Sequence, residues 1–212
     1  MPAFARAAEG DRSALARLVI ALLAIALAGT FVFALAWGAS DASTGRVLLS
    51  WVGLAGTDGI ETRDRLIVET IRLPRVILGM LIGAALAVSG AVMQGLFRNP
   101  LADPGIVGVS AGAGLGAASV IVLGSGVLAP AIALAGIYAL PFAAFLGGLA
   151  TTILLYRVAT RQGRTSVATM LLAGIALGAF AGAATGILVY LANDAQLRDL
   201  TFWGLGSVAG AT

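Results

Sequence analysis

Long apolar stretches without charge, separated by short segments that carry arginines and acids, set the pattern of this sequence. The central stretch, residues 76–97, has 22 residues and no charged side chain. A helix of this length is about 33 Å long, which is enough to cross the hydrocarbon core of a bilayer. The pattern recurs along the chain and predicts an all-α, polytopic membrane bundle of about five transmembrane helices, at residues 15–37, 76–97, 106–123, 138–156 and 166–192.

The segments between these spans are also predicted from their polarity. Residues 38–71 are predicted to form a polar loop. The amphipathic stretch 46–52 within it is too short to span, so we expect it to lie on the membrane surface. Residues 104–156 carry no charge and are too long for one helix, so Gly124-Ser125-Gly126 predicts a turn between two helices. A last apolar run from residue 200 predicts the start of a sixth span.

Composition agrees with a membrane protein. The 212 residues are 59% hydrophobic and 11% charged, whereas soluble domains carry about 25% charged residues. We therefore expect residues 1–212 to form a single transmembrane domain. The first stretch could instead be a cleaved secretory signal, but its apolar run, 18–35, exceeds the usual length of a signal core and favours a retained span.

The absence of cysteine and histidine narrows the chemistry. It excludes disulfides, zinc sites built on these residues, and Ser-His-Asp or Cys-His catalysis. The string from Gly108 to Gly112 fits the G-x-S-x-G pattern of hydrolases, but it lies in an apolar stretch predicted to be helical and has no histidine partner. We therefore do not expect Ser110 to be catalytic.

Arginines at the ends of the spans give a prediction of orientation. With a cytoplasmic N-terminus, seven arginines lie inside and six outside, so the count alone barely discriminates. The short loops, with Arg98 in one and Arg157, Arg161 and Arg164 in the other, favour this orientation under the positive-inside rule. It leaves Arg72 and Arg75 on the outer face.

Glycines recur at every fourth position in the last predicted span, at Gly174, Gly178, Gly182 and Gly186. Residues four apart share a helix face, so these positions form a groove without side chains. The groove could serve close packing within one protomer, or it could line a conduit or a dimer seam. The predicted spans carry no internal carboxylate of the kind that ion-coupled carriers use, which favours a pathway powered by something else.

Four motifs identify a family resemblance. They are RLPR at 72–75, GAALAVSGAVMQGLFRNPLADPGIVGVSAGAGLGAA at 83–118, LLAGIALGAFAGA at 171–183 and LRDLTFWGLGS at 197–207. Together and in this order they resemble the FecCD-type permeases of bacterial ABC importers, which carry haem, iron-siderophores or vitamin B12. The resemblance is closest to the haem branch.

The resemblance implies a transporter permease subunit, not an enzyme, in the bacterial inner membrane. It implies a homodimer, cytoplasmic ATPase subunits that use ATP and magnesium, and a periplasmic substrate-binding protein; no cofactor is expected on this chain itself. The family's ATPase-coupling loop would lie beyond residue 212. Alternatives are an iron-siderophore or vitamin B12 permease, or a truncated, non-transporting scaffold module.

The resemblance also implies candidate residues. Arg72 resembles an outer-face residue that docks an acidic side chain of the binding protein, with Arg75 a weaker candidate; Arg72 could instead be an anchor at the membrane interface. Where the vitamin B12 permease has a Thr-Ser gate, this chain has Val167 and Ala168, so the polar gate is not reproduced. The pathway or gate candidates are Ser166, Val167, Ala168, Thr169, Gly174, Gly178 and Gly182, and the family-motif loop is Arg98, Asn99, Pro100, Asp103 and Pro104.

Overall fold

The computed structural model describes residues 13–38, 40, 42–54 and 62–211, and helices dominate this part of the chain. The helices are α1 (Ser13–Ala36), α2 (Thr44–Trp51), α3 (Thr62–Leu66), α4 (Leu73–Phe97), α5 (Val109–Leu123), α6 (Ala129–Ala135), α7 (Ala139–Ala159), α8 (Val167–Leu191) and α9 (Asp194–Leu205). A π-helical segment, Ile67–Arg72, joins α3 to α4, and 3₁₀ turns lie at Pro104–Val107 and Gly136–Tyr138. Strands β1 (Thr160–Arg161) and β2 (Arg164–Thr165) pair antiparallel.

Four helical runs in the described residues are long and apolar enough to cross a membrane: Ser13–Ala36, Thr62–Phe97, Ala129–Ala159 and Val167–Leu191. They correspond to the first, second, fourth and fifth predicted spans, and at residues 36, 167 and 191 they fall one residue short of the predicted ends. The turn predicted at Gly124-Ser125-Gly126 is present, since the amide of Gly126 donates to the carbonyl of Leu123 at 3.0 Å. The all-α, polytopic prediction is confirmed.

The third predicted span is shorter than expected. Helix α5 has 15 residues and is about 22 Å long, less than the hydrocarbon thickness of a bilayer. Residues 106–108 belong instead to a 3₁₀ turn and to Gly108, whose φ of +78° ends that turn and starts α5 in a new direction. Glycine adopts this left-handed conformation without the steric cost that a Cβ brings.

The polar segment 38–71 differs from the predicted loop. The amphipathic stretch 46–52 falls almost wholly within the short helix α2, and its position on the membrane surface stays a prediction. Residues 62–72 are helical and continue directly into α4. Arg65 and Glu69 form an ion pair at 3.0 Å, four residues apart on one helix face, which stabilises an exposed helix. Glu69 also accepts from the indole N–H of Trp51 at 3.0 Å, which ties α2 to this run.

The end of the chain also differs from the prediction of a sixth span. Residues 200–205 form the second half of the short helix α9, which begins with a capping box between Asn193 and Gln196. Helix α9 ends at Gly206, where φ is +74°. Its twelve residues begin at Asp194 and include Arg198 and Asp199, so a polar short helix replaces the expected start of a span.

The described residues divide into two compact units, one made of those up to residue 81 together with 208–211, and the other of residues 82–207. In the second unit, α5 packs against both α7 and α8. One buried hydrophobic cluster of this unit consists of Val107, Leu155, Ala159 and Met170. A Cβ on Gly116 of α5 would fall 2.9 Å from the carbonyl carbon of Ala143 on α7, so the two helices meet backbone to backbone. The single-domain prediction stays a prediction.

Candidate functional site

The family-motif loop forms a rigid corner between α4 and α5. Arg98 ends α4 with a left-handed φ of +49°. The amide of Asn99 donates to the carbonyl of Gln94 at 3.2 Å, and the Asn99 side-chain oxygen accepts from the amide of Leu101 at 2.9 Å. Asn99 therefore caps the end of α4 and closes the turn that carries Pro100.

Asp103 and Pro104 begin the second half of this corner. The Asp103 carboxylate accepts from the amide of Gly105 at 2.5 Å, and Pro104 occupies the first position of the 3₁₀ turn. Aspartate at an N-cap and proline at the next position is the arrangement that starts a helical turn most readily. The sequence motif thus fixes the path of the backbone from α4 into α5.

The predicted gate residues lie at the N-terminus of α8. Ser166 is its N-cap: the Ser166 hydroxyl oxygen accepts from the amide of Thr169 at 3.3 Å and is 2.9 Å from the Thr169 hydroxyl. Ala168 is exposed and Val167 half-buried. Ser166 and Thr169 therefore hydrogen-bond to each other at the N-terminus of α8. Val167 and Ala168, which lie between them, belong to the first turn of the helix.

The glycine groove of α8 divides into two halves. A Cβ on Gly174 would lie 3.0 Å from the Cα of Val107, and one on Gly178 would lie 3.7 Å from the Cα of Gly108. A Cβ on Gly182 or Gly186 would meet nothing within 4 Å among the described residues. The first half therefore serves close packing inside the second unit, and the second half is open.

A cavity of about 510 Å³ opens beside the corner, within the second unit. Its polar lining includes Gln94, Asp103 and Ser110, and its apolar lining includes Leu86 and Gly90. Ser110 lies in the first turn of α5, and the residues before it form a 3₁₀ turn, so the strand that a nucleophile elbow requires is absent at this position.

Arg72 occupies an internal position in the first unit. It is only 8% exposed. Its Nη1 donates to the carbonyls of Leu35 and Ala36, at 2.8 and 3.1 Å, and to the hydroxyl of Thr44 at 3.1 Å. Its Nη2 donates to the carbonyl of Ser40 at 2.6 Å. A cation is thereby placed at the C-terminus of α1, where the carbonyls lack helical partners and the helix dipole is negative.

This geometry bears on the predicted docking role. In the conformation described, five acceptor atoms of the first unit engage the two terminal nitrogens of the Arg72 guanidinium, so docking through Arg72 would require it to release α1. Arg75 is half-buried and donates from Nη2 to the carbonyl of Ala209 at 3.0 Å, while its Nε has no partner among the described residues. The docking role of both arginines stays a prediction.

The sequence pattern did not identify the residues that accept hydrogen bonds from Arg72. Nothing in the sequence pattern marks Ser40 or Thr44 as acceptors. Gly38 offers a weak signal, because a Cβ there would lie 2.7 Å from Arg72 Nη2 and would displace the guanidinium from this position. Among the described residues, no group of three or more aspartate or glutamate side chains is placed to hold a metal ion.

Comparison with known proteins decides the family. The FecCD transport family matches residues 13–212, which is nearly the whole chain. The chain belongs to the FecCD transport family. Together with the four apolar helical runs, this membership makes it a multi-pass membrane protein.

Two kinds of curated relative are similar to this FecCD chain. The hemin transport system permease protein of Yersinia pestis is 48% identical over 141 residues, covering 66% of this chain and 41% of that protein. The cobalamin import system permease protein of Halobacterium salinarum is 43% identical over 153 residues, 72% of this chain and 39% of that protein. The vitamin B12 import system permease protein of Salmonella paratyphi A is 44% identical over 74% of this chain and 45% of that protein.

A solved structure supports the fold of this FecCD chain. An ABC transporter of the metal-chelate type, in an inward-facing conformation, superposes with a TM-score of 0.72 at 27% identity. The similarity covers 92% of this chain and 55% of that chain. The FecCD chain therefore spans less than half the length of the curated relatives it matches and about half of the solved neighbour.

Proposed function

We propose that this chain is a membrane-embedded translocation subunit of an ABC importer that carries haem or a related iron chelate. The family match over residues 13–212 is the observation that carries the proposal, because it includes the motifs that build the corner between α4 and α5. The hemin permease relative, at 48% identity, supports haem as the substrate.

The composition of the helices supports the proposal that a separate subunit supplies the energy for transport. Helices α4, α5, α7 and α8 contain no aspartate or glutamate, and carriers driven by protons or cations usually place such a residue inside the membrane. In the proposal, a separate ATPase subunit binds ATP and magnesium and drives transport. A periplasmic binding protein delivers the substrate to the outer face.

The proposed arrangement in the bacterial inner membrane has a cytoplasmic N-terminus and a second copy of the chain as partner. Helix α8 contributes to the pathway wall, with its N-terminal turn at the cytoplasmic end. The open half of the glycine groove, at Gly182 and Gly186, leaves a helix face available for close approach of a partner helix or for the passage itself.

Cobalamin is the second candidate substrate. Two cobalamin or vitamin B12 permeases are 43% and 44% identical over a larger share of this chain than the hemin permease. The first turn of α8 argues against cobalamin as the substrate. Val167 and Ala168 occupy the positions where a polar pair is expected in a vitamin B12 permease.

Uptake into proteoliposomes tests the proposal. Vesicles holding this chain and its ATPase, with the binding protein outside, would be given labelled haem or labelled cyanocobalamin with ATP or a non-hydrolysable analogue. The proposal expects ATP-dependent uptake of haem above that of cyanocobalamin. Preferential uptake of cyanocobalamin would show that cobalamin, and not haem, is the substrate. Assembly with the ATPase without uptake of either compound would favour a scaffold module.

A further inference from the structure

We propose that the hairpin of β1 and β2 binds the phosphate headgroup of an anionic lipid through Arg161 and Arg164. The hairpin joins α7 to α8 and ends directly before Ser166, the first of the predicted gate residues; its two arginines are not themselves among the gate candidates. Three observations carry the proposal: the pairing of the two arginines, the lack of a nearby acid, and the short distance from the hairpin to the helix ends.

The register of the hairpin places two like charges opposite each other. Arg161 pairs with Arg164, and Thr160 pairs with Thr165. Adjacent positions on a strand point to opposite faces, so the two arginines share one face and the two threonines share the other. The threonine hydroxyls are 3.0 Å apart and form a hydrogen bond. Like charges directly opposite each other destabilise a pair of strands, and an anion bound between the two arginines would offset this repulsion.

The turn holds this pair in place. Gln162 and Gly163 both have positive φ, +52° and +74°, as a type I′ turn requires. The amide of Ser166 donates to the carbonyl of Ala159 at 3.0 Å and closes the base of the hairpin. Residues directly opposite in an antiparallel pair have Cβ atoms about 5 Å apart, so two guanidinium groups can reach one phosphate.

No acid of the surrounding sequence neutralises the pair. Between Asp103 and Asp194 the charged residues are Arg157, Arg161 and Arg164 alone. All three are exposed, and within the described part of the chain the ion pair at 4.0 Å or less is that of Arg65 with Glu69. Arginine is suited to phosphate because its planar donors bind two oxygens at once.

The position of the hairpin favours a lipid headgroup over a partner protein. Each strand has two residues, so the hairpin extends about 7 Å from the ends of α7 and α8. The headgroup layer of a bilayer is about 5–7 Å thick on each side. Tyr156, in the last turn of α7, is 60% exposed, and exposed tyrosines are enriched at this level of the membrane.

Native mass spectrometry of the full chain, titrated with phosphatidylglycerol or phosphatidylcholine, tests the proposal. The wild type is expected to bind a first phosphatidylglycerol in preference to phosphatidylcholine. Each arginine near an anionic surface contributes about fivefold in affinity, so Arg161→Gln with Arg164→Gln is expected to weaken the first phosphatidylglycerol by about 25-fold. Arg161→Lys with Arg164→Lys keeps the charge but not the bidentate geometry, and intermediate affinity is expected.

The matched control removes two exposed arginines elsewhere, with Arg63→Gln and Arg198→Gln, and is expected to bind phosphatidylglycerol like the wild type. Circular dichroism checks that each variant keeps its helix content. Equal weakening in the control, or no weakening in the hairpin variant, would overturn the proposal. Inorganic phosphate binding as tightly as the lipid would overturn the lipid assignment, as would unchanged lipid binding with lost ATPase association.

Discussion

At the scale of single residues, Arg72 shows how a charge is held at the end of a membrane helix. Its guanidinium donates to the carbonyls of Leu35 and Ala36, and these carbonyls have no partner within α1 because they lie in its last turn. Leu35 is fully buried, so water cannot replace the arginine there. The Thr44 hydroxyl also donates to the Leu35 carbonyl at 3.3 Å, so loss of Arg72 would remove the charged donor and leave this buried carbonyl with one long, neutral hydrogen bond.

We therefore expect Arg72→Met to lower the free energy of unfolding by about 2 kcal/mol or more, because a buried acceptor loses a charged donor. Thermal unfolding in detergent, followed by the fluorescence of the three tryptophans, Trp37, Trp51 and Trp203, measures the change. Arg63→Met is the control, since Arg63 is exposed. Equal stability of the two variants would show that Arg72 does not hold α1.

Glycines of α8 give a second comparison between matched residues. A Cβ on Gly174 would lie 3.0 to 3.2 Å from three backbone atoms of Val107, whereas one on Gly182 would meet nothing within 4 Å among the described residues. Gly174→Ala is expected to destabilise the chain by about 1–3 kcal/mol, as overpacking against backbone does. Gly182→Ala is expected to be neutral or slightly stabilising, because alanine favours helix; the reverse order in thermal unfolding would contradict this packing.

At the scale of elements, two features fix the first half of α8. One is its N-terminal cap, and the other is its contact with the corner before α5. Ser166 caps the helix, and Asp103 caps the 3₁₀ turn that leads to Gly108. Gly108 in turn packs against α8, since a Cβ there would lie 2.7 Å from the carbonyl oxygen of Gly174. The first half of α8 is thus held at its end and along its side.

Ser166→Ala tests the cap at the end of α8. Loss of the side-chain acceptor is expected to cost about 1 kcal/mol and to speed hydrogen exchange in the first turn of α8, from Val167 to Met170. Ser89→Ala is the control, because the Ser89 hydroxyl donates within α4 to the carbonyl of Leu86 and caps no helix. Unchanged exchange in the first turn would show that Ser166 does not stabilise the helix end.

The elements differ in how well the apolar pattern predicts them. Helices α1, α4 and α8 are long, and apart from Arg17 and Arg75 they carry no charge, so hydrophobic length alone places them. The helical run at 62–72 is missed because its polarity resembles a loop, while its stability comes from Arg65 and Glu69 on one face and from contacts with α2. The late start of α5 depends on the backbone conformation of Gly108, which an apolar pattern does not encode.

At the scale of the whole chain, family and fold are predictable from motifs, but the use of individual residues is not. The sequence places four glycines of α8 on one face, yet which of them are covered depends on where the corner at Val107 and Gly108 packs. The internal role of Arg72 likewise depends on acceptors 28 to 37 residues away along the chain.

Orientation in the membrane is the claim on which the importer proposal rests, because the binding protein and the ATPase must meet opposite faces. The chain contains no cysteine, so single cysteines report their own accessibility. Leu54, after α2, is 77% exposed, and Leu101, in the corner between α4 and α5, is 83% exposed. The two residues lie on opposite sides of the helical run Thr62–Phe97 along the chain.

Labelling of intact cells with a membrane-impermeant maleimide is the direct measurement. The account predicts that Leu54→Cys reacts from outside at once, and that Leu101→Cys reacts only after the membrane is made permeable. Labelling of Leu101→Cys from outside, with Leu54→Cys protected until permeabilisation, would place the Arg72 end of the helix in the cytosol and contradict the account.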